Sequence, residues 1–269
     1  MLKSCLLLGA ALSLFGSLLG CKRFQRKHIP VERVEELGYP SCNGRALPPG
    51  TELWHEHLRS GPNHIDKSIA EFYSLRQRDC VFAFSVRQEW PLGTADVEVL
   101  YDANFQPLRV WKRMTLPGIE RAGERAEIRR YDLRSDPVTI KMRAMDGHIS
   151  YEQLLGGKPK WIIGPGRGMI GIWIRQAKLK VGEKVRELAL DIRALEKIEP
   201  VTLRREVDMQ HPDLGPVQVY TFYGRESVFV DARGLVVGDL AGLRADRVLT
   251  TTPPPRLPLE GAIDPVGTP

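Results

Sequence analysis

From Cys80 onward the apolar residues recur at every second position, and that period dictates a sheet. Val97, Val99 and Tyr101 alternate with Asp96, Glu98 and Leu100. Ile170, Ile172 and Ile174 alternate with Gly171, Trp173 and Arg175. Leu188, Leu190 and Ile192 alternate with Glu187, Ala189, Asp191 and Arg193, and Val217, Val219 and Thr221 with Gln218, Tyr220 and Phe222. Successive side chains of a strand point to opposite faces, so each run predicts a strand with one buried face. The turns agree. Val228–Val230 and Leu235–Val237 flank Asp231-Ala232-Arg233-Gly234, where the glycine suits the left-handed position of a type I turn with a bulge. Tyr101-Asp102-Ala103-Asn104 predicts a second such turn with Asn104 in that position, and Lys180–Val185 a third. Strands joined by short turns make an antiparallel meander. The expected fold is therefore mainly β, a curved antiparallel meander (half-barrel or barrel-like) with one or two short helices.

The helices are expected early. Ile65, Ile69, Phe72 and Leu75 make a stripe at helical spacing and predict a helix over 64–78, capped by Asn63 with Asp66 in its first turn. Val31, Val34 and Leu37 predict a turn or two before Gly38. Prolines at 40, 48 and 49 interrupt regular structure there, and six more between 253 and 269 make the end of the chain extended or disordered. The expected layout is a tether over 21–50, a β-rich globular domain over 51–250 and a Pro-rich tail over 251–269. At 42% hydrophobic and 27% charged residues the body is that of a globular protein.

The N-terminus carries an export signal. One charge, Lys3, precedes an uncharged apolar run, Cys5–Leu19, shorter than the ~20 residues of a membrane span. The run ends in Leu18-Leu19-Gly20-Cys21, which resembles the lipobox of bacterial lipoproteins. That resemblance implies that residues 1–20 are a signal peptide and that Cys21 carries a diacylglycerol thioether and an acylated amine. Several acyl chains hold a protein stably on a bilayer, at ~0.8 kcal/mol per buried methylene. Lys22, Arg23, Arg26 and Lys27 follow the anchor and suit anionic headgroups, or are simply a solvated tether. Lys22 differs from the Asp that signals inner-membrane retention in enteric bacteria, so the resemblance favours the outer membrane. With Cys5 and Cys21 accounted for, Cys42 and Cys80 remain in an oxidising compartment. They are a disulfide worth ~3–4 kcal/mol or two buried thiols, and spacing does not decide which.

The Val228–Leu240 hairpin, behind a leading helix and a long meander, resembles the LolA/LolB-type lipoprotein carriers. Their curved half-barrel wraps a helical plug and leaves an apolar cleft for acyl chains. The resemblance carries over no functional residue.

Candidate chemistry is sparse. His55 and His57 would share one face of a strand, with Glu56 on the other, and His64 would be a third metal ligand only if the fold brought it near. Polar loop histidines are the plainer reading, so no metal is expected, and no cofactor. Gly164-Pro165-Gly166-Arg167-Gly168 invites a phosphate-loop reading, but it lacks the Gly-Lys-Ser/Thr ending and precedes a strand pattern. A mobile loop or wide turn after Trp161-Ile162-Ile163 is the plainer reading, with an anion contact by Arg167 and its glycines as the alternative. Gly224-Arg225-Glu226-Ser227 lacks the second glycine of a nucleophile elbow, and no His-Glu-x-x-His occurs. No catalytic residues are expected. Trp90, Trp111, Trp161 and Trp173, with Tyr101, Tyr131, Tyr220 and Tyr223, are core aromatics or the lining of a cleft. The net charge of +6 suits anionic lipid or polysaccharide, and an exported chain without a recognition motif is a poor nucleic-acid partner. Three functions stay open: a non-enzymatic binding module for a hydrophobic ligand or lipoprotein, a structural or interaction lipoprotein of an envelope complex, and an envelope-polymer enzyme.

Overall fold

The alternation is realised in a single mixed sheet of sixteen strands. The computed structural model describes residues 27–28, 52–61, 69–78, 81–115, 126–193 and 196–246. The signal run, Cys21, Cys42, Cys80, His64, the expected turn at 31–37 and the tail lie outside them.

A first meander runs β2 (Glu52–Ser60), β3 (Ala70–Arg78), β4 (Val81–Trp90), β5 (Gly93–Tyr101), β6 (Pro107–Thr115), β7 (Glu127–Asp132), β8 (Val138–Arg143) and β9 (Ile149–Leu154), each strand antiparallel to the last. The short β1 (Lys27–His28) adds to the β9 edge. Then β10 (Trp161–Ile163) leads through α1 (Met169–Ala177) to a parallel partner, β11 (Lys184–Asp191). A second meander follows: β12 (Lys197–His211), β13 (Gly215–Phe222), β14 (Glu226–Val230), β15 (Val236–Asp239) and β16 (Leu243–Ala245). Pairing of β16 with β2 joins the two meanders.

The sheet curves around α1. One inward row runs straight across the first meander: Trp54, Leu75, Phe84, Val99, Val110, Tyr131 and Ile140. All are at most 1% exposed. Trp173 of α1 stacks on Trp161 at 4.7 Å and meets Phe222 edge-on at 6.1 Å. Lys112 on β6 donates to the Ile192 carbonyl at 2.6 Å, which ties the far side of the first meander to the second. Burial holds that ammonium's pKa below the ordinary lysine range.

Two expected elements change type. Residues 70–78 form β3, with no helix there: Phe72 faces outward, while Glu71, Tyr73, Leu75 and Gln77 face in. Polar groups at two inward positions blur the period of two. Residues 169–177 form α1 where a strand was expected. Met169 through Ile174 are buried on every side, so the helix has no polar face for a period to show. The Lys180–Glu183 turn accordingly joins α1 to β11 and closes no hairpin.

The two Asp-Ala turns share one pattern. Asp231 Oδ1 accepts from the Arg233 and Leu235 N–H groups, and Asp102 Oδ1 from those of Asn104 and Gln106. Gly234 takes the left-handed position at φ 80°, as expected. In the other turn that position falls on Phe105 at φ 58°, one residue beyond Asn104. Its ring is buried against Phe82 at 4.6 Å, and that packing offsets the backbone strain. A Cβ at Gly234 meets nothing within 4 Å, so Gly234→Ala isolates the backbone term. It is expected to lower stability by about 1 kcal/mol, read as a drop in the urea midpoint with an unchanged slope.

Candidate functional site

Two polar constellations stand out, one at an end of the sheet and one on its outer face. The first is built by the glycine loop. Strand β10, the loop and α1 have the order of a phosphate-binding element, since a helix does begin at Met169. The anion at its N-terminus is the protein's own. Glu71 Oε2 accepts from the Arg167 N–H and Oε1 from the Gly168 N–H, both at 2.7 Å. Gly168 offers no side-chain cap, so a carboxylate from β3 supplies one. The loop is glycine-rich because it touches the sheet: a Cβ at Gly168 would lie 2.3 Å from the Tyr73 ring. Burial pushes the Glu71 carboxyl up to about 7, against the opposing pull of those two N–H donors.

Arg167 does not reach out to an external anion. Its guanidinium pairs with Asp239 at 3.0 Å and Glu226 at 2.5 Å. Glu226 also takes Arg193 at 2.8 Å, and Arg193 holds Asp191. The Tyr223 hydroxyl donates to Glu199 at 2.7 Å and lies 3.1 Å from Asp191. Burial pushes the Glu226 carboxyl up, but Arg193 and Arg167 outweigh it and hold the pKa below the usual carboxylate range. Every carboxylate of this chain of pairs is engaged, which makes it a clamp across strand ends.

The second constellation follows from the register. Residues paired across a sheet share a face, so the outer side of β2–β9 carries parallel rows. One runs His55, Ser74, Ser85, Glu98, Trp111, Arg130, Lys141, Tyr151. Another runs His57, Phe72, Arg87, Asp96, Arg113, Ile128, Arg143, Ile149. A third includes Glu52, Arg76, Leu100, Arg109 and Asp132. Over β2–β7 these rows line a groove of about 910 Å³. Its wall mixes the cations Arg76, Arg87, Arg109 and Arg130 with Glu52, Asp96 and Glu98 and with the ring faces of Phe72 and Trp111.

The histidines fall in this groove. His55 and His57 share the outward face and Glu56 points in, as the alternation requires. His57 is stacked on Phe72 at 3.7 Å and bonded to Asp246 at 2.6 Å, while His55 meets Glu52 at 3.4 Å. Among the described residues no third ligand joins them. Of the aromatics, Trp161, Trp173, Tyr101, Tyr131 and Tyr220 are core, and Trp111 is in the groove. Sequence reasoning missed Glu71, Asp191, Arg193, Glu226 and Asp239. A charge at an inward position of a strand is the signal that would have found Glu71.

No protein-family model matches the chain, and no curated protein does. The chain is similar to a solved structure of a DUF1089 family protein from Pseudomonas aeruginosa, at 14% identity and a TM-score of 0.42 over 78% of this chain and 99% of that one. A likeness of that size carries no functional argument.

Proposed function

We propose that this chain is a lipid-anchored protein of the bacterial cell envelope, held by acylated Cys21 in the outer membrane, and that it works as a non-enzymatic interaction module. The observation that carries the choice is the filled concave side. Trp54, Trp161 and Trp173, none more than 2% exposed, pack with α1 where a carrier would keep room for acyl chains. The outer-face groove supplies the surface for a partner. Its wall combines arginines, among them Arg76 paired with Glu52 and Arg87 with Glu89, with the flat faces of Phe72 and Trp111, the composition favoured where proteins meet. The filled interior thus favours the interaction protein over the hydrophobic-ligand carrier.

The test is photo-crosslinking in cells from Ser85, inside the groove, and from Val181, an exposed position outside it. A discrete adduct is expected from Ser85, absent from Val181 and lost with Phe72→Ala. Stoichiometric lipid in native mass spectra of the purified protein, with no adduct at Ser85, would overturn the choice in favour of the carrier.

A further inference from the structure

The outer face changes character toward the β9 edge. On β6–β8 the register places Arg109, Arg113, Arg130, Lys141 and Arg143 in three adjacent rows, with Asp132 the one acidic residue on those strands' outer face and Asp96 and Glu98 facing them from β5. Asp132 is itself bound by Arg134 at 3.3 Å. Strands lie ~4.8 Å apart, so five cations spring from a patch about 10 Å by 14 Å. Beside it on β9 is Ile149, opposite Arg143 and 46% exposed. Asp146, in the turn between β8 and β9, spends one carboxylate oxygen on the His148 N–H.

The topology sets where this patch sits relative to the anchor. Lys27 pairs with Gln153 on β9, and Cys21 precedes Lys27 by six positions. At ~3.4 Å per residue that stretch reaches about 20 Å at most. A lipid on Cys21 therefore keeps the β9 edge, and the basic rows next to it, close to the bilayer surface.

We propose that the outer face of β6–β8 is a membrane-docking surface, lying against anionic phospholipid headgroups with Ile149 at its rim. Its geometry rests on the lipid-anchor reading; its charge does not. Each basic side chain near an anionic surface is worth about 1 kcal/mol and loses that within a Debye length of ~8 Å, so the five act together only when the face lies flat. The curvature of the sheet then turns the β2–β4 end of the groove away from the membrane, toward a partner.

The test is partitioning of the full chain between buffer and two vesicle types, phosphatidylcholine alone and phosphatidylcholine with phosphatidylglycerol. Lipid on Cys21 adds equally to both, so the ratio of the two partition constants reads the patch. Replacing Arg113, Lys141 and Arg143 by Glu is expected to lower that ratio about tenfold or more. The milder pair Lys141→Gln and Arg143→Gln should lower it part of the way. A ratio unchanged in both variants would overturn the docking surface. Intact mass of the N-terminal peptide tests the anchor separately: an unacylated Cys21 with a charge-dependent ratio leaves the surface standing and removes the anchor.

Discussion

Stability is expected to fall by about 3 kcal/mol between pH ~4.5 and ~7 through Glu71 alone. Its carboxyl is fully buried and pushed up to about 7, from an ordinary 4.5. A raised carboxyl pKa means the folded state holds a proton that the unfolded chain releases in that window. The folded state thus binds more protons than the unfolded one, and stability declines as pH rises until the folded carboxyl has ionised. The histidines pull the other way: burial lowers the pKa of His57 and His211, so the cost of keeping them neutral in the fold fades as pH rises toward 6.5 and is gone above it. The two contributions separate in a comparison of urea midpoints across pH for wild type and Glu71→Gln. The difference between the two proteins should change by about 3 kcal/mol over the window and be flat above it. A difference that is level throughout would show that Glu71 is ionised at all these pH values and that the α1 N-terminus is a stronger anion site than burial allows.

Gly168→Ala is expected to cost about 2–3 kcal/mol, although its backbone suits alanine. Its φ of −55° and ψ of −26° are helical and open to alanine, and at an N-cap the exchange alone would cost little. Space decides the magnitude. The new Cβ would lie 2.3 Å from Tyr73, and that ring has little freedom to yield. The Tyr73 hydroxyl donates to the Val236 carbonyl at 2.8 Å, and the ring stacks on Phe84. Relief must come from α1 moving off the sheet, which lengthens the two bonds to Glu71. Thermal unfolding is the measurement, and the double variant Gly168→Ala with Tyr73→Leu should recover part of the loss. A single variant as stable as wild type would mean that the helix start is free to shift.

These two residues also show where the sequence was legible. The β architecture could be read because Val97 and Val99 face the core while their neighbours Asp96 and Glu98 are half-exposed and charged. The Asp231–Gly234 turn could be read because its chemistry is local: one aspartate and one glycine close it. Helix α1 could not. Its cap is Glu71, 97 residues from Gly168, and its apolar run meets protein on all sides, so neither a capping residue nor a polar face marks it. Strand β3 hid for a complementary reason, since the capping carboxylate had to occupy an inward position that an apolar residue would have made obvious. The groove was half legible. The outward direction of His55 and His57 follows from alternation, but the row that places Trp111 beside Arg130 depends on register, which exists only between strands.

The seam between β2 and β16 bears on how this sheet comes to be. Hairpins build each meander from neighbours in sequence, but Leu58 meets Ala245 only after nearly the whole described chain is available. Pairing of such distant segments is slow, because loop-closure entropy is lost before the contact rewards it. Until then β2 offers an open row of backbone donors and acceptors, with Trp54 and Leu58 beside it, to any passing strand. During synthesis the hazardous interval is the one between the emergence of residue 60 and that of residue 245, and Leu243–Ala245 end it.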